Sequence, residues 1–170
     1  GDQWRNMLMA RHRAATGIEG FRVTFLTGTT PTNIVLNASY AGPGTATNAL
    51  YDSGDGNWTA YTSKTIPVVG SYVAFKGDWR TAGGIYSYMF KSTFQSAAYT
   101  CKFSGALTVT PTTRVNAYFG LFKDATAVTS IEDNPIPLLT GTPASGTFMY
   151  AFYNMSGVTG ELPAGFMDTS

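Results

Sequence analysis

The stretch Tyr118-Phe119-Gly120-Leu121-Phe122-Lys123-Asp124-Ala125-Thr126-Ala127-Val128-Thr129 returns 30 residues later as Phe148-Met149-Tyr150-Ala151-Phe152-Tyr153-Asn154-Met155-Ser156-Gly157-Val158-Thr159. Phe122 coincides with Phe152 and Val128 with Val158, and the pairs Asp124/Asn154 and Thr126/Ser156 are chemically alike. An aliphatic-Pro step follows each copy, at Ile136-Pro137 and Leu162-Pro163; its later position in the first copy places an insertion near Glu132-Asp133-Asn134-Pro135. A fainter copy lies at Tyr88-Met89-Phe90-Lys91, with Phe90 standing 32 residues before Phe122. Self-similarity at such a period is the signature of stacked repeats, in which no unit buries its apolar face alone. Neighbours then share one core and leave one long face to solvent. On this reading Phe122 and Phe152 are equivalent inward positions, both buried, and truncating either costs about the same.

Upstream of the repeat the pattern is that of short strands. Phe21-Arg22-Val23-Thr24-Phe25 alternates strictly, Ile34-Val35-Leu36 is a short apolar run, and Tyr72-Val73-Ala74-Phe75 follows a turn at Val69-Gly70-Ser71. Asp52-Ser53-Gly54-Asp55-Gly56-Asn57 is dense in turn formers and lies between Tyr51 and Trp58-Thr59-Ala60-Tyr61, which predicts a hairpin. Residues 18–82 are therefore expected to form a small antiparallel sandwich or barrel, with residues 83–170 as a separate repeat segment. Residues 2–16 alone read as a helix within an N-terminal unit 1–17: Asp2 can cap it, Gly17 stops it, and Trp4, Met7 and Leu8 share one face. That stripe is too narrow to fold alone and is assigned to oligomerisation or docking. Arg5, Arg11 and Arg13 are read as its solvated face.

Composition supports a turn-rich β protein. Only 12% of residues are charged, 44% are hydrophobic, and there are 19 glycines. A net charge of +1, from 11 basic and 10 acidic residues, offers no footprint for a phosphate backbone, so nucleic acid is not an expected partner. No apolar run approaches the ~20 residues that span a bilayer, and the opening residues lack the apolar core of a secretion signal. A signal has been removed or none was needed.

The segment Phe152-Tyr153-Asn154-Met155-Ser156-Gly157-Val158-Thr159-Gly160-Glu161-Leu162-Pro163 resembles the repeat of BspA-like leucine-rich-repeat surface proteins of intestinal bacteria, and Leu121 to Ile131 is similar. The family's usual Cys is replaced by Ala125 or Met155 and its Leu by Val128 or Val158. Asn57-Trp58-Thr59-Ala60-Tyr61, Ile66-Pro67-Val68 and Gly70-Ser71-Tyr72-Val73-Ala74-Phe75-Lys76-Gly77 look like the β-module that often precedes such repeats. The opening Trp4-Arg5-Asn6-Met7-Leu8-Met9-Ala10-Arg11-His12-Arg13 resembles the start of phage and prophage structural proteins, which implies that Gly1 lies at or near the true N-terminus. The resemblance implies a mainly β chain: an N-terminal helix, a β-sandwich-like domain, then an irregular leucine-rich-repeat-like β-solenoid segment. An array that stops so soon after Asp168 is expected to be truncated or to lack a cap.

Catalytic chemistry is hard to assemble from these residues. The one histidine, His12, lies beside two arginines in the predicted helix, which leaves no triad. Cys101, between Tyr99 and Phe103, is read as a buried, inert thiol, and a lone cysteine excludes an internal disulfide. Glu132 and Asp133 are adjacent, so in a strand they point to opposite faces and cannot act on one sugar. Asp52, Asp55 and Asn57 could supply oxygens to calcium, but their spacing is not that of a known loop and turn chemistry explains them. No cofactor and no metal is expected. The three N-glycosylation patterns at Asn37, Asn57 and Asn154 carry no weight without a eukaryotic secretory context.

What remains is surface recognition. The chain has 11 Phe, 10 Tyr and 3 Trp, and although cross-strand core pairing claims most of them, Trp and Tyr favour interfaces. The ligand-binding candidates are Trp58, Tyr61, Trp79, Tyr86, Tyr88 and Tyr153. The expectation is a non-enzymatic adhesion or attachment protein, extracellular at a bacterial cell surface or on a virion, binding a glycan or a host or surface protein through the repeat face and able to form a homo-oligomer. A structural virion or assembly protein without a host ligand is the alternative, and a glycan-active enzyme the least favoured.

Overall fold

The alternation of Phe21, Val23 and Phe25 with Arg22 and Thr24 produces β1 (Phe21–Gly28), in which these three apolar side chains enter the core while Leu26, beyond the alternation, is exposed. The computed structural model describes residues 16–110, 112–137, 142–163 and 166; among them are eight strands and no α-helix. Apart from Thr16, the expected helix over 2–16, with Trp4, Met7, Leu8 and His12, lies outside the described residues. The other strands are β2 (Asn33–Val35), β3 (Ala49–Asp52), β4 (Trp58–Ala60), β5 (Thr65–Pro67), β6 (Tyr72–Gly77), β7 (Tyr99–Gly105) and β8 (Val128–Ile131).

Six of them form one mixed sheet in the order β4-β3-β6-β1-β7-β8, and β2 pairs with β5 in a small second sheet. Phe21 stands opposite Phe75 and Gly105, and Val23 opposite Val73 and Phe103. Every pairing is antiparallel except β7 with β8, where Cys101 faces Val128 in parallel register. A parallel pair needs a crossover, which residues 106–127 supply. The predicted hairpin forms, with Asp52 opposite Trp58 and Tyr51 opposite Thr59. Its turn is held by the Asp52 carboxylate, which accepts the N–H groups of Gly54 (2.8 Å) and Gly56 (3.1 Å) and the Tyr72 hydroxyl (2.8 Å).

The sandwich or barrel expected over residues 18–82 does not close. The second edge of β1 pairs with β7, from beyond residue 82, so the sheet runs across the expected boundary. The physical reason lies in the apolar face of β1, which needs a cover that the upstream strands do not provide. The cover is the repeat segment: the Phe21 ring lies 5.5 Å from Phe90 and 5.4 Å from Phe122, and Phe103 lies 4.9 Å from Phe122. One hydrophobic cluster contains all of them.

No β-solenoid forms among the described residues either, because the repeats are built from turns. Three ribbons, residues 84–93, 116–125 and 146–154, have a left-handed residue at every fourth position: Gly84, Tyr88 and Ser92; Asn116, Gly120 and Asp124; Gly146, Tyr150 and Asn154, with φ between 56° and 80°. A backbone that reverses hand every fourth residue cannot run as an extended strand. It curls into overlapping turns, closed by bonds such as Leu121 N–H to Tyr118 O (3.1 Å) and Ala151 N–H to Phe148 O (3.0 Å).

The ribbons nevertheless stack in register. The N–H groups of Tyr86, Tyr88, Phe90 and Ser92 donate to the carbonyls of Ala117, Phe119, Leu121 and Lys123. Those of Tyr118, Gly120, Phe122 and Asp124 donate in turn to Thr147, Met149, Ala151 and Tyr153, all at 2.7 to 3.0 Å. Two columns of rings result: Tyr86, Tyr118 and Phe148 at 5.5 Å steps, and Phe90, Phe122 and Phe152 at 5.7 Å steps.

Candidate binding surface

The register that buries two ring columns also lines up the side chains facing away from them. Lys91, Lys123 and Tyr153 occupy one equivalent position in the three ribbons, Tyr88, Gly120 and Tyr150 another, and Ser92, Asp124 and Asn154 a third. Gly120 leaves a gap between the two tyrosines, and Phe119 fills it, its ring 5.2 Å from Tyr88 and 5.7 Å from Tyr150. Tyr153 extends the row, 5.6 Å from Tyr150. The result is a continuous strip, Tyr88-Phe119-Tyr150-Tyr153, whose far end is open to solvent: Tyr150 is 49% and Tyr153 56% exposed.

Cations flank this strip. Lys91 Nζ lies 5.5 Å from the Tyr88 ring centre, and Lys123 Nζ lies 5.3 Å from that of Tyr150 and 5.5 Å from that of Tyr153. Neither lysine joins a salt bridge among the described residues, where the pairs are Lys76–Glu19, Arg80–Asp78 and Lys102–Glu132. Beside the lysines, Asp124 accepts from Asn154 Nδ2 (3.0 Å) and Ser92 Oγ (3.4 Å), a polar column that ties all three ribbons together. Half-exposed rings with adjacent unpaired ammonium groups and amide or hydroxyl donors can stack on, and hydrogen-bond to, a polar ligand with an apolar face.

Two of the six candidates read from sequence, Tyr88 and Tyr153, stand in this strip. Trp79 and Tyr86 do not belong to any surface: both are fully buried. The Trp79 indole N–H donates to Lys76 O (2.9 Å) and its ring meets Phe75 at 5.2 Å, while Tyr86 heads a buried ring column. Burial holds the Tyr86 hydroxyl well above the ordinary tyrosine pKa. Tyr61 is partly buried and packs edge-on against Trp79 at 5.5 Å. Trp58 shares a register row with Asp52, Ala74 and Arg22, on the sheet face turned away from Phe21 and Phe75, and its ring is covered by Lys76 Nζ at 4.4 Å. The candidates thus scatter over the core, a sheet edge and the ribbon face.

Phe119, Tyr150, Lys91 and Lys123 were missed. Aligning the three copies at 32 and 30 residues would have found Tyr150, Lys91 and Lys123, since Tyr88 and Tyr150, and Lys91 and Lys123, fall at equivalent positions; Phe119 aligns with Ser87 and Met149 and carries no such signal.

The groups weighed for catalysis are held in structural roles. Cys101 is fully buried, and burial pushes its thiol up to about 12. Glu132 pairs with Lys102 at 2.7 Å, while Asp133 accepts from Thr16 N–H (3.0 Å), Thr16 Oγ1 (2.5 Å) and Gly105 N–H (2.6 Å), binding the chain before β1 to the end of β7. Asp78 is held below the usual carboxylate range, first by its hydrogen bonds from the Arg80 guanidinium. No group of three or more His, Cys, Asp or Glu side chains able to hold a metal ion occurs among the described residues, and no helix there is long and apolar enough to cross a membrane.

Comparison with protein-family models, with curated proteins and with solved structures returns no match.

Proposed function

We propose that this protein is a non-enzymatic attachment protein of a bacterial surface or a phage virion, and that it holds its partner, a glycan or a surface protein, on the ribbon face. The stacked ribbons share one core, which supports a rigid outer face. The observation that carries this reading is the Tyr88-Phe119-Tyr150-Tyr153 strip flanked by Lys91 and Lys123, whose ammonium groups have no carboxylate partner among the described residues. Large exposed rings on a fixed backbone lose little side-chain entropy on binding, which suits them as anchors.

A glycan array and a panel of purified bacterial and host surface proteins, probed with the full chain, test this. Binding that falls at least tenfold (about 1.4 kcal/mol) in Tyr150→Ala and Tyr153→Ala, with unchanged thermal stability, supports the reading. Binding unaffected by both changes, or turnover of a glycan abolished by changing one carboxylate, overturns it.

A further inference from the structure

Along the stack axis the aromatic strip carries a regular pattern of charge. The three ribbons contain two basic side chains, Lys91 and Lys123, and one acidic side chain, Asp124. Both Asp124 carboxylate oxygens are turned to neighbours in the polar column, accepting from Asn154 Nδ2 (3.0 Å) and Ser92 Oγ (3.4 Å). The lysines are held against rings instead: Lys91 over Tyr88 in the first layer, Lys123 over Tyr150 and Tyr153 in the third, with Phe119 between the two tyrosine positions. Ladder-paired layers lie ~4.8 Å apart, so the rings that carry the two ammonium groups are separated by roughly 10 Å. Ring contact fixes long side chains that would otherwise wander, and both lysines stay partly exposed. A cation positioned in advance in this way loses little entropy when an anion meets it.

We infer that the strip binds a linear acidic glycan laid along the stack, one sugar to a layer, with carboxylate or sulfate groups on alternate sugars meeting Lys91 and Lys123. This names a ligand class for the attachment reading above and rests on that reading. A pyranose advances a glycan chain by about the depth of one layer, and its C–H face packs on a ring while its hydroxyls reach the phenol rim. Acid groups on alternate sugars therefore recur at the two-layer interval that separates Tyr88 from Tyr150. Other polyanions do not keep this step. A span of roughly 10 Å is three residues of extended peptide, which puts the second acid on the opposite face. A nucleic-acid strand, with a phosphate every ~3.4 Å, would leave the intervening phosphates over Phe119 without a cation.

Titration of the full chain with a hyaluronan octasaccharide, which carries glucuronate on alternate sugars, tests this. Its carboxyl methyl ester and a chitin oligosaccharide are the neutral probes, and carboxyl-reduced chondroitin sulfate separates sulfate from carboxylate. At least one acidic probe should bind about tenfold or more tightly than the neutral ones, an advantage that shrinks as sodium chloride is raised. Lys91→Gln and Lys123→Gln should each remove most of that advantage with the unfolding midpoint unchanged, whereas Lys64→Gln, outside the ribbons, should not. Tyr150→Ala should weaken acidic and neutral probes alike. Equal binding of acidic and neutral probes, or a preference that survives both lysine changes, overturns the inference, yet leaves the attachment reading standing if Tyr150→Ala still weakens binding. Tighter binding of poly-glutamate through the same lysines overturns the choice of a glycan. Binding of none of the glycans overturns the inference as well, while capture of a purified surface protein that is lost in Tyr150→Ala keeps the broader reading.

Discussion

The rings of Phe122 and Phe152 stack 5.7 Å apart at equivalent positions of neighbouring ribbons, yet Phe122 is fully buried and Phe152 only partly. Phe122 is enclosed by Phe21, Phe90 and Phe103, whereas Phe152 meets Phe122 on one side and Phe166 on the other. Phe122→Ala should therefore cost ~3 to 5 kcal/mol and Phe152→Ala clearly less, because a part-exposed site loses less burial and collapses more easily. Equal losses in denaturant unfolding would contradict this, although equal losses are what the bare repeat predicts.

Gly120 has φ of 61°, and a Cβ there would come within 3.0 Å of the Tyr88 ring. Gly120→Ala is expected to destabilise by ~1 to 2 kcal/mol, combining left-handed strain with pressure on Tyr88. Gly83→Ala, where φ is not positive and the nearest atom stands at 3.4 Å, serves as the control and should change the unfolding midpoint little.

Burial raises the pKa of the Asp52 carboxyl, but the N–H donors of Gly54 and Gly56 and the Tyr72 hydroxyl outweigh it and hold the group below its ordinary value. The folded state thus binds this proton less readily than the unfolded chain does. The stability it contributes is full above the ordinary carboxylate range and is lost as the pH falls through that range toward the folded-state value. Asp52→Ala should cost ~1 to 3 kcal/mol at neutral pH, and the difference from wild type should shrink in acid; a pH-independent difference would count against the assignment.

With its thiol pushed up to about 12 by burial, Cys101 should not react with an aromatic disulfide reagent at pH 8 until the protein unfolds. Rapid stoichiometric labelling of the native protein would show that β7 opens or that the thiol is accessible.

The sequence by itself determined the β-rich class, the strand at Phe21–Phe25, the Asp52–Asn57 hairpin and the equivalence of Phe122 with Phe152, because each is a local pattern of period or turn chemistry. Asp124 and Asn154 were visible as a conserved pair of types between the copies, but their reason, a left-handed backbone that Asx residues tolerate, appears only once the ribbons are seen to turn. Tertiary structure alone decided that β1 pairs with β7 across the expected boundary and that the repeats stack as turns. It also separated the aromatics, burying Trp79 and Tyr86 while leaving Tyr150 and Tyr153 in solvent. Composition cannot make that distinction, since a ring buries wherever a neighbouring layer covers it, and the layer over Tyr86 comes from residues 32 positions away.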